Sequence, residues 1–276
     1  MSISPLLYYR KYPAGRELED VVKYYWVMRS REKESSQDLL IPDGYPEIIF
    51  VLQGEYQKAY LDPGKSPLII DASCLVGIQT QTVLANRLNH CHLIGIKLKP
   101  AGAYRLLGPV LSQIANTNLS LDNCGLPWLI TLNQYLKQTN TDTEVLSLIH
   151  NSLLRQKGLS EVDELASSLI TPILSMKGQI SVKTLAEQHK LSMRHVQRKF
   201  KSYFGISPKK FISLIRFKHY YKSRILKQQT KEHFLDYGYY DQMHFIRDFQ
   251  KHLGVTPSKS EETSFIRLNQ MAQINS

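Results

Sequence analysis

Four side chains that can bond a nucleic acid recur at helical spacing. Arg194, Gln197, Arg198 and Lys201 stand at i, i+3, i+4 and i+7, which puts them on one face of a helix. Arg can bond guanine O6 and N7 bidentately and Gln can bond adenine N6 and N7, while Lys can neutralise phosphate. A solvated helix face ordinarily mixes in carboxylates; this one has none. The stretch is then written again 49 positions later, "FKSYFGISP" at 200–208 returning as "FQKHLGVTP" at 249–257. Ser192 maps to Asp241, His195 to His244, Phe200 to Phe249 and Gly205 to Gly254. The outward positions map to Met243, Ile246, Arg247 and Gln250. Of these, Met243 and Ile246 can touch thymine methyl groups and Gln250 can bond a base edge.

Such faces need elements that hold them. Val182, Leu185 and Ala186 give one apolar helical face, and Leu191 follows a short polar break. Ser192 stands where an N-cap is needed. Val196, Phe200 and Tyr203 or Phe204 make an inward stripe, and Gly205 can end the helix in a left-handed conformation. The pattern predicts helix, tight turn, helix. Before the second turn the shift is 48, so Ala186 maps to Phe234 and Lys190 to Gly238, and the second copy carries one extra turn residue. Between the copies, Pro208 suits a first helical turn. Phe211, Leu214, Ile215, Ile225 and Leu226 supply apolar positions for a long linking helix. About eighteen helical residues span roughly 27 Å, the scale that holds two reading helices about one DNA turn, ~34 Å, apart.

Charge points the same way. The chain of 276 residues carries a net +11. From Thr171 to Ser276 there are 19 Lys+Arg against 7 Asp+Glu, a balance of +12; residues 1–170 hold the remaining 16 basic and 17 acidic, a balance of −1. The whole positive excess lies with the repeat, as a polyanionic partner would require. A hydrophobic content of 42% supports packed cores. No run of 18 apolar residues offers a membrane span, and "MSISPLLYYRKYPAGR" lacks the charged start and apolar stretch of a secretory signal. Cys74, Cys91 and Cys124 make neither a CxxC pair nor an even framework, which suits a reducing compartment. A cytoplasmic protein is expected.

The segment from about Leu174 to Ser258 resembles the DNA-binding domain of the AraC/XylS family of bacterial transcription regulators. The matching phrases are "LSMRHVQRKFKSYFGISPKKF" and "GYYDQMHFIRDFQKHLGVTP". The resemblance implies base-reading roles for Arg194, Gln197 and Arg198, and weaker roles for Gln242, Met243, Ile246 and Arg247. His195 and Lys201 complete the expected DNA-binding set. The sequence departs from the family at four places. Lys190 stands at a turn position where glycine is usual. Phe234 replaces a small residue, His233 replaces an aliphatic one, and Ser260 replaces an aromatic one.

In the N-terminal part, "IPDGYPEIIFVLQG", "SPLIID", "SCLVGIQTQTVL" and "HCHLIGIKLKP" read as short strands, which suggests a sandwich or barrel. "ELEDVVKYYWVM" reads as a short helix or a helix-to-strand segment. "GAYRLLGPVL", "TEVLSLIHNSLLRQ" and "EVDELASSLITPILSM" read as helices. "IPDGYPEIIF", "LVGIQTQ" and "GIKLKPAGAYRLL" resemble the N-terminal domain of a subset of AraC-type regulators, which implies a cupin-like sensing or interaction module. The expected fold is therefore α+β in two domains: a β-rich, cupin-like domain over 1–157, then an all-α domain over 158–276 with two helix-turn-helix units joined by a long helix. His90 and His92 share a strand face that can contribute to a metal site, but lack clear further ligands, so an ordinary strand surface is favoured. "KYYW" at 23–26 can line an aromatic pocket, with plain core the favoured reading. Asp43–Gly44 reads as a turn. No GxSxG, HExxH or P-loop glycine pattern occurs, so no catalytic residue, metal or cofactor is expected. The alternative is a cupin-like enzyme or a DNA-repair protein fused to a DNA-binding module. Double-stranded DNA is the expected partner, with room left for a small-molecule effector and a homodimer, and no membrane.

Overall fold

The computed structural model describes residues 7–30, 37–60, 67–87, 90–159, 163–223 and 233–260. Ten strands occupy the N-terminal part. They are β1 (Leu7–Tyr12), β2 (Val22–Ser30), β3 (Gln37–Leu40), β4 (Glu47–Gln53), β5 (Tyr56–Tyr60), β6 (Leu68–Ile70), β7 (Cys74–Val76), β8 (Val83–Arg87), β9 (Cys91–Leu98) and β10 (Asn118–Ser120). They form a six-stranded sheet ordered β1-β2-β9-β4-β7-β10 and a four-stranded sheet ordered β3-β8-β5-β6. All paired strands run antiparallel.

Period-two alternation explains why the larger sheet is apolar on both faces. In β4, Ile48 and Phe50 point to one core while Ile49 and Val51 point to another. In β2, Tyr25 and Val27 face the first core and Trp26 faces the second. The second core lies between the sheets. The first is covered by helices, so the continuous run "EIIFV" is what a doubly buried strand requires.

Those helices are α1 (Pro100–Leu107), α2 (Val110–Gln113), α3 (Pro127–Leu136), α4 (Asp142–Leu159) and α5 (Glu164–Ser175). In α4, Val145, Ile149 and Leu153 recur every four residues and are buried. "ELEDVVKYYWVM" begins with a 3-10 turn at Arg16–Leu18 and continues as β2. Beyond lie α6 (Val182–Gln188), α7 (Met193–Phe204), α8 (Pro208–Tyr221), α9 (Gln242–Leu253) and α10 (Pro257–Ser260). A β-rich part thus precedes a helical part, as the sequence implies.

Among the described residues the linking helix α8 has 14 residues, roughly 21 Å at the α-helical rise; Ile225 and Leu226 lie outside the described residues. The first helix of the second unit is, among the described residues, a single 3-10 turn at Phe234–Tyr237. The atypical residues there have structural work. His233 caps the turn in a reciprocal box with Asp236. Phe234 stacks on Phe245, with centroids 5.4 Å apart and planes 8° apart.

The two parts share a core. One continuous apolar cluster runs from Ile48 and Ile94 of the sheet, through Leu132 and Ile149, to Phe200 and Leu214 of the helix-turn-helix region.

Candidate nucleic-acid interface

The first unit is built as the spacing predicts. Ser181 caps α6, its hydroxyl accepting from the Thr184 N–H at 2.9 Å. Ser192 caps α7, accepting from the His195 N–H at 3.2 Å. Gly205 ends α7 at φ +72°; a Cβ there would stand 2.5 Å from the Ser112 carbonyl oxygen, so glycine also lets the end of α7 approach α2. Val196, Phe200, Tyr203 and Phe204 are buried. Lys190 holds the tight turn at φ +52°, the strained backbone that its place in the motif implies.

Arg194, Gln197, Arg198 and Lys201 are all exposed on the outer side of α7. Among the described residues none of the three cations has a carboxylate within 4.0 Å. They form an uncompensated basic face, with their hydrogen-bonding groups directed at solvent. His195 is half-buried at its edge. Lys209 and Lys210, both exposed at the start of α8, enlarge the positive surface; sequence reading passed over them because they follow the repeat.

The second unit differs. Asp241 caps α9, accepting from the His244 N–H at 2.6 Å, and Gly254 closes it at φ +91°. Gln242, Met243, Arg247 and Gln250 are exposed. Ile246, placed outward by the repeat, is half-buried against the aromatic cluster of Phe217, Tyr220, Phe245 and Phe249. His244 is bound to its own chain: its Nδ1 accepts from the Tyr240 N–H at 3.3 Å. The second face therefore carries one exposed cation at the repeat positions, where the first carries three.

The second unit and the linking helix are gripped by the β-rich part. His252 of α9 is fully buried. Its Nδ1 lies 2.7 Å from the Thr80 carbonyl oxygen and its Nε2 2.8 Å from the Ser213 hydroxyl. A carbonyl only accepts, so the proton sits on Nδ1 and Ser213 donates to Nε2. The Thr82 N–H donates to the His252 carbonyl at 2.8 Å. Burial pushes the His252 imidazole down to about 4, against the opposing Thr80 hydrogen bond. On α8, Lys218 donates to the Asp43 carbonyl at 2.9 Å. The turn at Gly44 (φ +80°) lies so close to Ile215 and Phe211 that a Cβ would stand 2.8 Å from Ile215 Cδ1.

Beneath this contact, between the two sheets, lies a cavity of about 200 Å³. Tyr24 and Trp26 line it while Tyr25 belongs to the helix-covered core, so "KYYW" serves both purposes. In its wall Lys97 pairs with Asp43 at 3.0 Å and with Glu47. Burial would raise the Asp43 carboxyl, but Lys97, Lys218 and Lys23 outweigh it and hold it below its usual range. Burial brings Lys218 down to about 8, with Lys23, Lys97 and Lys222 pushing the same way against Asp43. Gln79 and Gln81 also line the cavity, on the loop whose Thr80 and Thr82 hold His252. Sequence reading reached this cavity only through "KYYW", as the less favoured reading, and passed over Lys58, a charge in the inward register of a strand. His92 bonds Asp142 at 2.9 Å, and Arg29 bonds the same oxygen at 2.7 Å. Among the described residues no three His, Cys, Asp or Glu side chains gather as a metal site, and no helix is long and apolar enough to cross a membrane.

Two family models match parts of the chain. Residues 185–262 match a family model described as a helix-turn-helix domain. Residues 10–120 match a domain of unknown function, DUF6597. No curated protein matches the chain. Among solved structures, ToxT from Vibrio cholerae O395 aligns at 11% identity over 96% of this chain and 98% of that one, with a TM-score of 0.43. ToxT bound to (E)-4-(8-methylnaphthalen-1-yl)but-3-enoic acid aligns at 12% identity over 94% and 98%, with a TM-score of 0.44. Wild-type ToxT of strain SCE256 bound to an unsaturated fatty acid aligns at 15% identity over 87% and 96%, with a TM-score of 0.42.

Proposed function

We propose that this chain, which carries an AraC-type helix-turn-helix domain, regulates transcription by reading the major groove chiefly with α7 and anchoring on the backbone through α9. In this reading residues 158–276 bind DNA and residues 1–157 modulate that binding, with no catalysis required. The observation that carries it is the outer face of α7: two arginines, a glutamine and a lysine, all exposed, with no carboxylate partner among the described residues. Arg194, Gln197 and Arg198 are the base readers, His195 borders them, and Lys201 meets phosphate. Gln242, Met243, Ile246 and Arg247 form the weaker second contact. The modulation rests on Thr80 and Asp43, which bond α9 and α8 directly. A ligand can act there only by preferring one arrangement of the two parts over another.

Genome-wide footprinting of the full chain tests this reading. We expect discrete sites upstream of genes, sharing a motif with two contacted segments. Uniform coverage without a motif would make the protein a non-specific basic binder and refute the assignment.

A further inference from the structure

The structure assigns a ligand site to the cavity between the sheets: we propose that it binds a carboxylate-bearing molecule about the size of one aromatic ring, its charged end held by Lys58 and Tyr56. This deepens the modulatory half of the reading above and does not depend on the DNA-binding half. Tyr56 and Lys58 are two positions apart on β5, so both side chains point between the sheets, and both line the cavity. Tyr56 is 4% exposed and Lys58 8%. The Tyr56 hydroxyl has no hydrogen-bond partner among the described residues. The Lys58 ammonium reaches the Asn118 side-chain oxygen, at 3.5 Å, lies 5.7 Å from the centroid of the Tyr56 ring, and has no carboxylate within 4.0 Å among those residues. A buried phenol without a partner and a buried ammonium without a counter-ion are each costly. Both costs vanish if one carboxylate accepts from the two donors.

The remaining walls select the same chemistry. Five lysines line the cavity (Lys23, Lys58, Lys97, Lys218 and Lys222) against two carboxylates, Asp43 and Glu47. Both carboxylates are committed to Lys97, and Glu47 also accepts from the Trp26 indole N–H at 3.1 Å. No acidic group is left for Lys58, and a cationic ligand would be repelled. Size sets the other limit. An apolar cavity of about 150 Å³ holds benzene, and this one measures about 200 Å³, which accommodates one ring and its acid group. Trp26, Ile49 and Leu93 supply apolar surface beside the polar end.

Calorimetric titration of the full chain with benzoate, compared with benzamide, tests the assignment. We expect saturable benzoate binding near one per chain, and benzamide weaker by about tenfold or more, the worth of a charge-assisted hydrogen bond. Lys58→Met should cut benzoate affinity by about tenfold or more and leave benzamide nearly unchanged. Its melting temperature in the absence of benzoate should hold or rise, because a buried uncompensated charge has been removed. Tyr56→Phe should weaken benzoate severalfold and provides the mutational arm should Lys58→Met fail to fold. The assignment is overturned if benzoate does not saturate the wild-type chain, if benzamide binds as well, or if a folded Lys58→Met binds benzoate unchanged. None of these readings involves DNA, so the site can fail while major-groove reading stands, and the reverse.

Discussion

At the scale of single residues, the outer face of α7 divides between groups that can tell bases apart and a group that only senses charge. Lys201 stands a turn beyond Arg198 and is exposed; as a phosphate contact it carries no sequence information. Lys201→Ala should weaken binding evenly across sequences and reduce the slope of log affinity against log salt by about 1, measured by fluorescence anisotropy of a labelled duplex across salt concentrations. His252 makes a different kind of prediction. Its folded-state pKa is about 4, against about 6.5 for an unperturbed histidine. The unfolded chain therefore binds the proton first. The stability His252 contributes is fully present above pH 6.5 and is lost as pH falls toward 4, by roughly 3 kcal/mol at about 1.4 kcal/mol per unit. Its charged neighbours, Lys251 and Asp248, act in opposite directions and more weakly than burial. Urea unfolding at pH 7 and at pH 4.5 should show a steeper loss for the wild-type chain than for His252→Gln, which cannot titrate. Parallel losses in the two proteins would show that His252 does not carry the effect.

At the scale of elements, the first unit was legible because each signal had one physical meaning. Ser192, the Val196–Phe200 stripe and Gly205 are a cap, a buried face and a left-handed stop, and all three appear as read. The strands of "IPDGYPEIIF" and "HCHLIGIKLKP" were legible from their apolar runs, as β4 and β9. The strands β1, β3, β5 and β10 were not, because short segments such as "YQKAY" carry mixed polarity. The helix α3 was also missed. The second unit was legible in its recognition helix and misread in its partner, since Phe234 was compared with a small helical residue whereas it packs as an aromatic stack in a 3-10 turn. The equivalence of the two turns can be tested directly. Lys190 and Gly238 correspond, and both adopt positive φ, at +52° and +80°. Lys190→Gly should relieve left-handed strain and stabilise the chain by up to about 1 kcal/mol, less the backbone entropy glycine adds to the unfolded state. Gly238→Ala should destabilise it by about 1 kcal/mol or more, since alanine is strained at φ > 0 and its Cβ would stand 3.1 Å from Gln179 Cγ. Chemical denaturation of both variants measures this; equal and negligible effects would mean the turns relax freely.

At the scale of the whole molecule, an apolar core common to both parts and a strongly uneven charge distribution act together. Residues 1–170 are near neutral and hold the C-terminal helices through Thr80, Asp43 and Ser112, while residues 171–276 carry the entire positive excess. The two reading helices are consequently mounted on one body but are chemically unequal. The repeat positions of α7 offer Arg194, Gln197, Arg198 and Lys201; those of α9 offer Met243, Arg247 and Gln250, with Ile246 half-buried. Selection of preferred sites from a randomised duplex library, using the full-length wild-type chain and its Arg194→Ala, Arg198→Ala and Arg247→Ala variants, weighs this inequality most directly. Losing a bidentate base contact should cost about 1–3 kcal/mol at one position of the motif, so Arg194→Ala and Arg198→Ala should each relax a base preference. Arg247→Ala should lower affinity and leave the selected motif intact. A motif that shifts with Arg247→Ala and survives both α7 substitutions would contradict the account and make α9 the reading helix.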